Sequence, residues 1–199
     1  MKRFKGLIFV FFAVCLFFPF NNSYASSVQD QLQVTIDKIV EILRDPSLKD
    51  EGSAKARRQS LSKLIHERFS FEKMSQLSLA RHWKDRTQEE KKAFAELFGK
   101  LLEETYISKI ESYTDEKVVF VKEFVNNKKA QVNTKIVMEN IEIPIDYRLY
   151  QTKEGIWLVY DLVIEGVSLV GNYRSQFDQI LQKDTYEKLV EELKKKINS

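Results

Sequence analysis

The chain has 199 residues, 32 of them basic and 29 acidic, for a formal charge of +3. That surplus lies entirely in Lys2, Arg3 and Lys5, and the chain from residue 26 onward carries 29 charges of each sign; a nucleic-acid-binding domain would keep a basic excess in its folded part. Cys15 is the single cysteine and sits in the N-terminal apolar run, so disulfides and thiolate chemistry are excluded beyond it.

Leu7–Phe18 is an apolar run behind a basic start, closed by Pro19 and followed by Asn21 and Asn22. Ser23-Tyr24-Ala25 places small residues where a signal peptidase reads, so residues 1–25 are expected to be a secretory signal peptide. The run of 12 residues falls short of the roughly 20 that span a bilayer. Lipidation is not expected, because Cys15 is followed by Leu16-Phe17-Phe18 and not by small residues. Residues 26–199 are then one exported domain of 174 residues.

In chain order, Val28, Leu32, Ile36, Ile39, Val40 and Leu43 recur at helical spacing before Pro46. A second helix is expected from about Ala54, with Leu61, Leu64, Ile65 and Phe69 inward, and a short third over Phe71–Trp83. Thr87-Gln88-Glu89-Glu90 is a capping box that opens a long helix with Phe94, Leu97, Phe98, Leu101, Leu102 and Thr105 on one face. Four strands follow at Lys117–Val125, Lys129–Met138, Ile141–Thr152 and Ile156–Glu165, with Asn126-Asn127 and Lys153-Glu154-Gly155 as turns. Such short links make neighbours antiparallel. Pro144 suggests an edge or a bulge in the third strand. In the fourth, Leu158, Tyr160 and Leu162 are expected on one face, with Trp157, Val159 and Val163 on the other. Helices over Leu169–Gln182 and Thr185–Ile197 complete one α+β domain: a four-stranded twisted antiparallel sheet packed with about six helices.

The sequence offers little catalytic chemistry. Gly166–Gly171 has one residue too many for a nucleophile elbow, and Asn172-Tyr173 stands where a phosphate loop needs Lys-Ser/Thr. His66 and His82 lie 16 residues apart with no cysteine to help, which argues against zinc. Neither a metal nor a cofactor is expected. Asp161, in an otherwise apolar strand, needs a partner, and Arg174 is the expected one. What remains is a surplus of large apolar side chains on a sheet roofed by helices. Periodicity alone leaves open whether they fill a core or line a pocket.

Two segments carry a family resemblance. Trp157–Phe177 holds a Trp, Tyr160-Asp161, the Glu165-Gly166 turn with its hydroxyl at Ser168, and Asn172-Tyr173-Arg174-Ser175-Gln176-Phe177. Leu79-Ala80-Arg81-His82-Trp83 precedes the Thr87 cap, leading into Phe94, Phe98, Leu102 and Tyr106. Both resemble the MlaC or toluene-tolerance auxiliary family, with His82 standing where an aromatic residue is common. The resemblance implies a periplasmic carrier of phospholipid with an apolar lipid pocket, a role in outer-membrane lipid asymmetry, and no cofactor. It implies two partners: an inner-membrane ABC transporter complex with a ring-forming lipid-binding protein, and an outer-membrane lipoprotein complex. A hopanoid is the alternative cargo. Outside the family reading stand an exported adaptor with a filled core and a small enzyme built on Asp161 or His82. From alternation and helix faces, the expected pocket lining is Val132, Ile136, Ile145, Tyr147, Leu149, Leu158, Tyr160 and Leu162 on the sheet, with Phe94, Phe98, Leu102 and Tyr106 opposite. Asp161, Asn172 and Arg174 are expected to order the sheet-to-helix junction.

Overall fold

The computed structural model describes residues 27–48, 50–112 and 116–198; the segment assigned to the signal peptide lies outside them. The first helix, α1 (Val28–Arg44), opens on a capping box in which Ser27 and Asp30 bond each other's backbone N–H. Two short 3-10 turns, Pro46–Leu48 and Glu51–Ser53, lead to α2 (Ala54–Arg68), of which only Leu61 is fully buried. The next helix, α3 (Phe71–Leu79), gives way at Ala80, where φ is +48°, to a 3-10 turn over Ala80–Trp83. The long helix, α4 (Gln88–Glu111), carries the predicted capping box, Thr87 with Glu90. Its buried face is Phe94, Phe98, Leu101, Leu102 and Ile107, whereas Thr105 is exposed and turns its hydroxyl back onto Leu101 O. Gly99 lets α3 close on α4: a Cβ there would stand 3.1 Å from the Phe71 ring.

Strands β1 (Lys117–Asn126), β2 (Lys129–Val137), β3 (Glu142–Gln151) and β4 (Trp157–Ile164) form an antiparallel meander. A fifth strand, β5 (Val167–Ser168), folds back on Val163 and Ile164, so the sheet has five strands where the sequence predicted four. Two residues are too few to show alternation; the turn at Glu165 (φ +49°) and Gly166 (φ +83°) creates the pairing. The third strand is not an edge, since β3 pairs with both β2 and β4. Pro144 is tolerated because it stands where β4 ends: its carbonyl accepts from Glu165 N–H, and its missing N–H falls on that same frayed side. The bulges lie elsewhere, at Val121 in β1 and Tyr160 in β4.

The chain ends in α5 (Leu169–Leu181) and α6 (Tyr186–Ile197). Buried apolar residues gather in three clusters. One is helical: Met74, Leu79 and Trp83 with Phe94, Phe98, Leu101 and Leu102 of α4, Tyr173 and Phe177 of α5, and Leu189 and Leu193 of α6. Another sets Val28, Leu32 and Ile36 of α1 on Ala130, Val132, Leu149, Trp157 and Val159 of the sheet. The smallest joins Leu43, Leu61 and Ile107, with Ile39, Ile42 and Ile110 beside them. Thus Val28, Leu32, Ile36 and Val40 turn one side of α1 onto the sheet, while Ile39, Ile42 and Leu43 turn its second half also toward α2 and α4.

Candidate functional site

Strand register assigns side chains to faces. Ala130, Val132, Thr134 and Ile136 of β2 stand opposite Leu149, Tyr147, Ile145 and Ile143 of β3. Tyr147 and Ile145 in turn face Leu162 and Ile164 of β4, and Ile136 and Thr134 face Val118 and Phe120 of β1. Partners across a ladder share a face, so these residues line one inner face beneath α1. At one end that face is closed, because Ala130, Val132, Leu149, Trp157 and Val159 are buried against α1. Toward the other end Val118, Phe120, Ile136, Ile143, Ile145, Tyr147, Leu162 and Ile164 all keep accessible surface. Ile136, Ile143, Ile145 and Ile164 belong to none of the three clusters. Beside α1 the sheet thus presents an apolar cleft that the three packed clusters leave out.

Tyr147 stands in the middle of this face. It lies deep enough that burial pushes its hydroxyl up to about 12, yet the side chain keeps accessible surface. Tyr106 of α4 is similar: half-buried at the edge of the helical cluster, with its hydroxyl raised by burial. The inner face carries no lysine or arginine. Its one anion, Glu123 opposite Val132, is taken up by the Gln29 N–H at the start of α1.

The predicted lining residues divide into four groups. Ile136, Ile145, Tyr147 and Leu162 lie together on the open part of the inner face, with Tyr106 at its helical side. Val132 and Leu149 are wholly buried under α1. Phe94, Phe98 and Leu102 belong to the aromatic interior of the helical layer, where the Phe98 ring meets Tyr173 at 5.0 Å and Phe177 at 5.4 Å. Leu158 and Tyr160 are on the opposite face of the sheet from Leu162. Leu158 pairs with Tyr150, three residues from the Tyr147 that faces Leu162, and the bulge turns the Tyr160 ring toward Tyr150. Sequence reasoning missed Val118, Phe120, Ile143 and Ile164. Ile143 and Ile164 were within reach of it, each two positions from a residue already on the face.

The carboxylate of Asp161, 3% exposed, is a junction. It takes Arg148 Nη1 at 3.0 Å, the Ser168 hydroxyl at 2.7 Å and the Val170 N–H at 3.0 Å, while Ser168 Oγ caps Gly171 N–H. Its cation is therefore Arg148, its cross-strand neighbour, and not Arg174. Arg174 is exposed and donates from Nε to Leu77 O at 2.7 Å, joining α5 to the last turn of α3; Asn172 is exposed beside it. His82 stands 3.1 Å from Asp178, which also holds Arg81, and His66 stands 3.1 Å from Glu103. Among the described residues no group of His, Cys, Asp and Glu could hold a metal ion, and no helix is long and apolar enough to cross a membrane. Two surface hollows, about 540 Å³ beside Arg58 and His66 and about 460 Å³ beside Lys73 and Tyr150, are lined by charged and polar side chains and do not reach the inner face.

The MlaC family model matches residues 33–195, from within α1 to within α6. The chain belongs to the MlaC family. Over 119 residues it is 29% identical to the intermembrane phospholipid transport system binding protein MlaC of Haemophilus influenzae; the match covers 56% of this chain and spans about half of that relative, 55%. The fold is similar to that of a phospholipid-binding protein from Ralstonia solanacearum, solved in complex with a phospholipid. The TM-score is 0.77 at 23% identity, covering 85% of this chain and 96% of that one.

Proposed function

We propose that this MlaC-family chain is a periplasmic carrier that binds phospholipid with its acyl chains along the inner face of the sheet. The observation that carries the reading is the apolar inner face around Tyr147, where Ile136, Ile143, Ile145 and Ile164 stay half-buried outside every packed cluster on a sheet face without lysine or arginine. The phospholipid named for the Ralstonia relative and the transport system named for the Haemophilus relative support the cargo. Exposing each CH₂ to water costs about 0.8 kcal/mol, so releasing two long acyl chains costs on the order of 20 kcal/mol. A carrier must therefore shield them from one membrane complex to the next. The donor and acceptor in this reading are an inner-membrane ABC transporter complex and an outer-membrane lipoprotein complex, with residues 1–25 directing export. Such work needs apolar surface and no nucleophile.

Native mass spectrometry of the processed protein from a membrane-bearing host, with lipid extraction of the same sample, tests the reading. Near-stoichiometric phospholipid is the expected result, and a hopanoid would keep the mechanism with another cargo. Apo protein that also takes up no lipid from vesicles would overturn it in favour of an adaptor.

A further inference from the structure

Among the described residues, one hydroxyl on the β2–β3 part of the inner face has no hydrogen-bond partner. Thr134, its other hydroxyl on β2 and β3, donates to Ile145 O at 2.9 Å. Tyr150, on the opposite face, bonds Ser70 Oγ at 3.0 Å. The Tyr147 hydroxyl has no hydrogen-bond partner among the described residues, and register places the residue on the central strand, between Val132 and Leu162. In an empty, wet cleft water satisfies it. Once acyl chains displace that water, the hydroxyl must meet an acceptor on the ligand or remain unpaired in an apolar setting, which is costly.

We propose that Tyr147 donates a hydrogen bond to an acyl ester carbonyl of the bound lipid and so selects ester-linked over ether-linked chains. The proposal rests on the carrier reading above. The surroundings of Tyr147 favour the carbonyl over the phosphate as acceptor. A phosphodiester in the cleft would bring a charge among Val132, Ile145 and Leu162, on a sheet face that carries no lysine or arginine and whose one ionised side chain, Glu123, is itself an anion. An ester carbonyl is neutral, marks the boundary between chains and headgroup, and is absent from a dialkyl ether lipid. Tyr147 would therefore set how deep the lipid enters: the chains beyond it, the headgroup on the open side.

The test offers wild type and Tyr147→Phe vesicles of equal parts diester and diether phosphatidylethanolamine with matched chains, and reads the bound ratio by mass spectrometry. Wild type is expected to favour the diester by about tenfold, the worth of one hydrogen bond to an otherwise unpaired group, and Tyr147→Phe to bind both alike with an unchanged melting temperature. A ratio near one in wild type, or a preference that survives in Tyr147→Phe, overturns the proposal. Equal weakening of both lipids in the variant assigns the bond to the phosphate instead and also overturns it. Wild type that takes up neither lipid removes the carrier reading and this inference together, whereas lipid uptake without discrimination removes only the inference.

Discussion

At the scale of single residues, Asp161 and Arg174 show how differently two members of one sequence motif can be used. Asp161 is nearly inaccessible and accepts from a guanidinium, a hydroxyl and a backbone N–H, so it ties β3, β4, β5 and the first turn of α5 to one carboxylate. Removing it leaves Ser168, the Val170 N–H and Arg148 without their acceptor. The expected cost of Asp161→Ala is about 3 kcal/mol, the range for a buried charge pair broken from one side. Arg174 makes a single bond from the surface, and Arg174→Ala should cost under about 1 kcal/mol. Urea denaturation of both variants checks the contrast; equal losses would mean that Arg174 bears on the carboxylate after all. The sequence marked Asp161 as a residue in need of a partner, since an acid in an apolar strand stands out. It did not reveal the partner, because Arg148 is adjacent only across the ladder and looks like an ordinary outward residue of an alternating strand.

Among the elements, α2 and α4 depend on a charge clamp. Arg57 and Arg58 of α2 reach Glu111, in the last turn of α4, at 3.1 Å and 3.0 Å. Burial alone would raise the Glu111 carboxyl, but hydrogen bonds and charges from Arg58 and Arg57 outweigh it and hold the group below its ordinary value. A carboxyl depressed in the folded state stabilises the fold above its unfolded pKa, and that contribution is lost as pH falls through the folded value. Glu111→Gln should therefore be less stable than wild type at about pH 7, and the gap should close in acid as pH falls through the depressed folded value and wild type loses the same interaction. Thermal melts across that range check it, and a gap unchanged with pH would show that the clamp does not act through charge. The same elements show what was legible. Both capping boxes and the tight hairpins declare themselves locally, in Ser27-to-Asp30, Thr87-to-Glu90 and Asn127 with its φ of +53°. The bulge at Tyr160 does not: β4 is apolar on both sides, so a one-residue slip leaves no break in the pattern, and strict alternation puts Leu158 and Tyr160 on the face of Leu162 from which the bulge removes them.

For the whole molecule the question is whether the sheet and helices enclose a filled core or a space. Periodicity cannot answer it, because the same apolar face serves both. The structure separates its apolar residues into three clusters and leaves Ile136, Ile143, Ile145 and Ile164 outside all of them. Ile145 is the place to test this, since it neighbours Tyr147 on the open part of the inner face and its cross-strand partners, Thr134 and Ile164, are not bulky aromatics. In a close-packed core an isoleucine enlarged to tryptophan forces neighbours off their rotamers and costs about 1–3 kcal/mol. Beside a cleft the added ring enters empty volume and gains contacts. Ile145→Trp, compared with wild type after both are stripped of lipid so that bound ligand does not inflate either melting temperature, should lose under about 1 kcal/mol. Its lipid uptake from vesicles should nevertheless fall severely, because the ring occupies the volume an acyl chain needs. Val132→Trp is the internal control: Val132 is fully buried under α1, so the same enlargement should carry the full overpacking cost. A destabilised Ile145→Trp, or one that still loads lipid as well as wild type, would place Ile145 in an ordinary core and move the cargo away from the inner face.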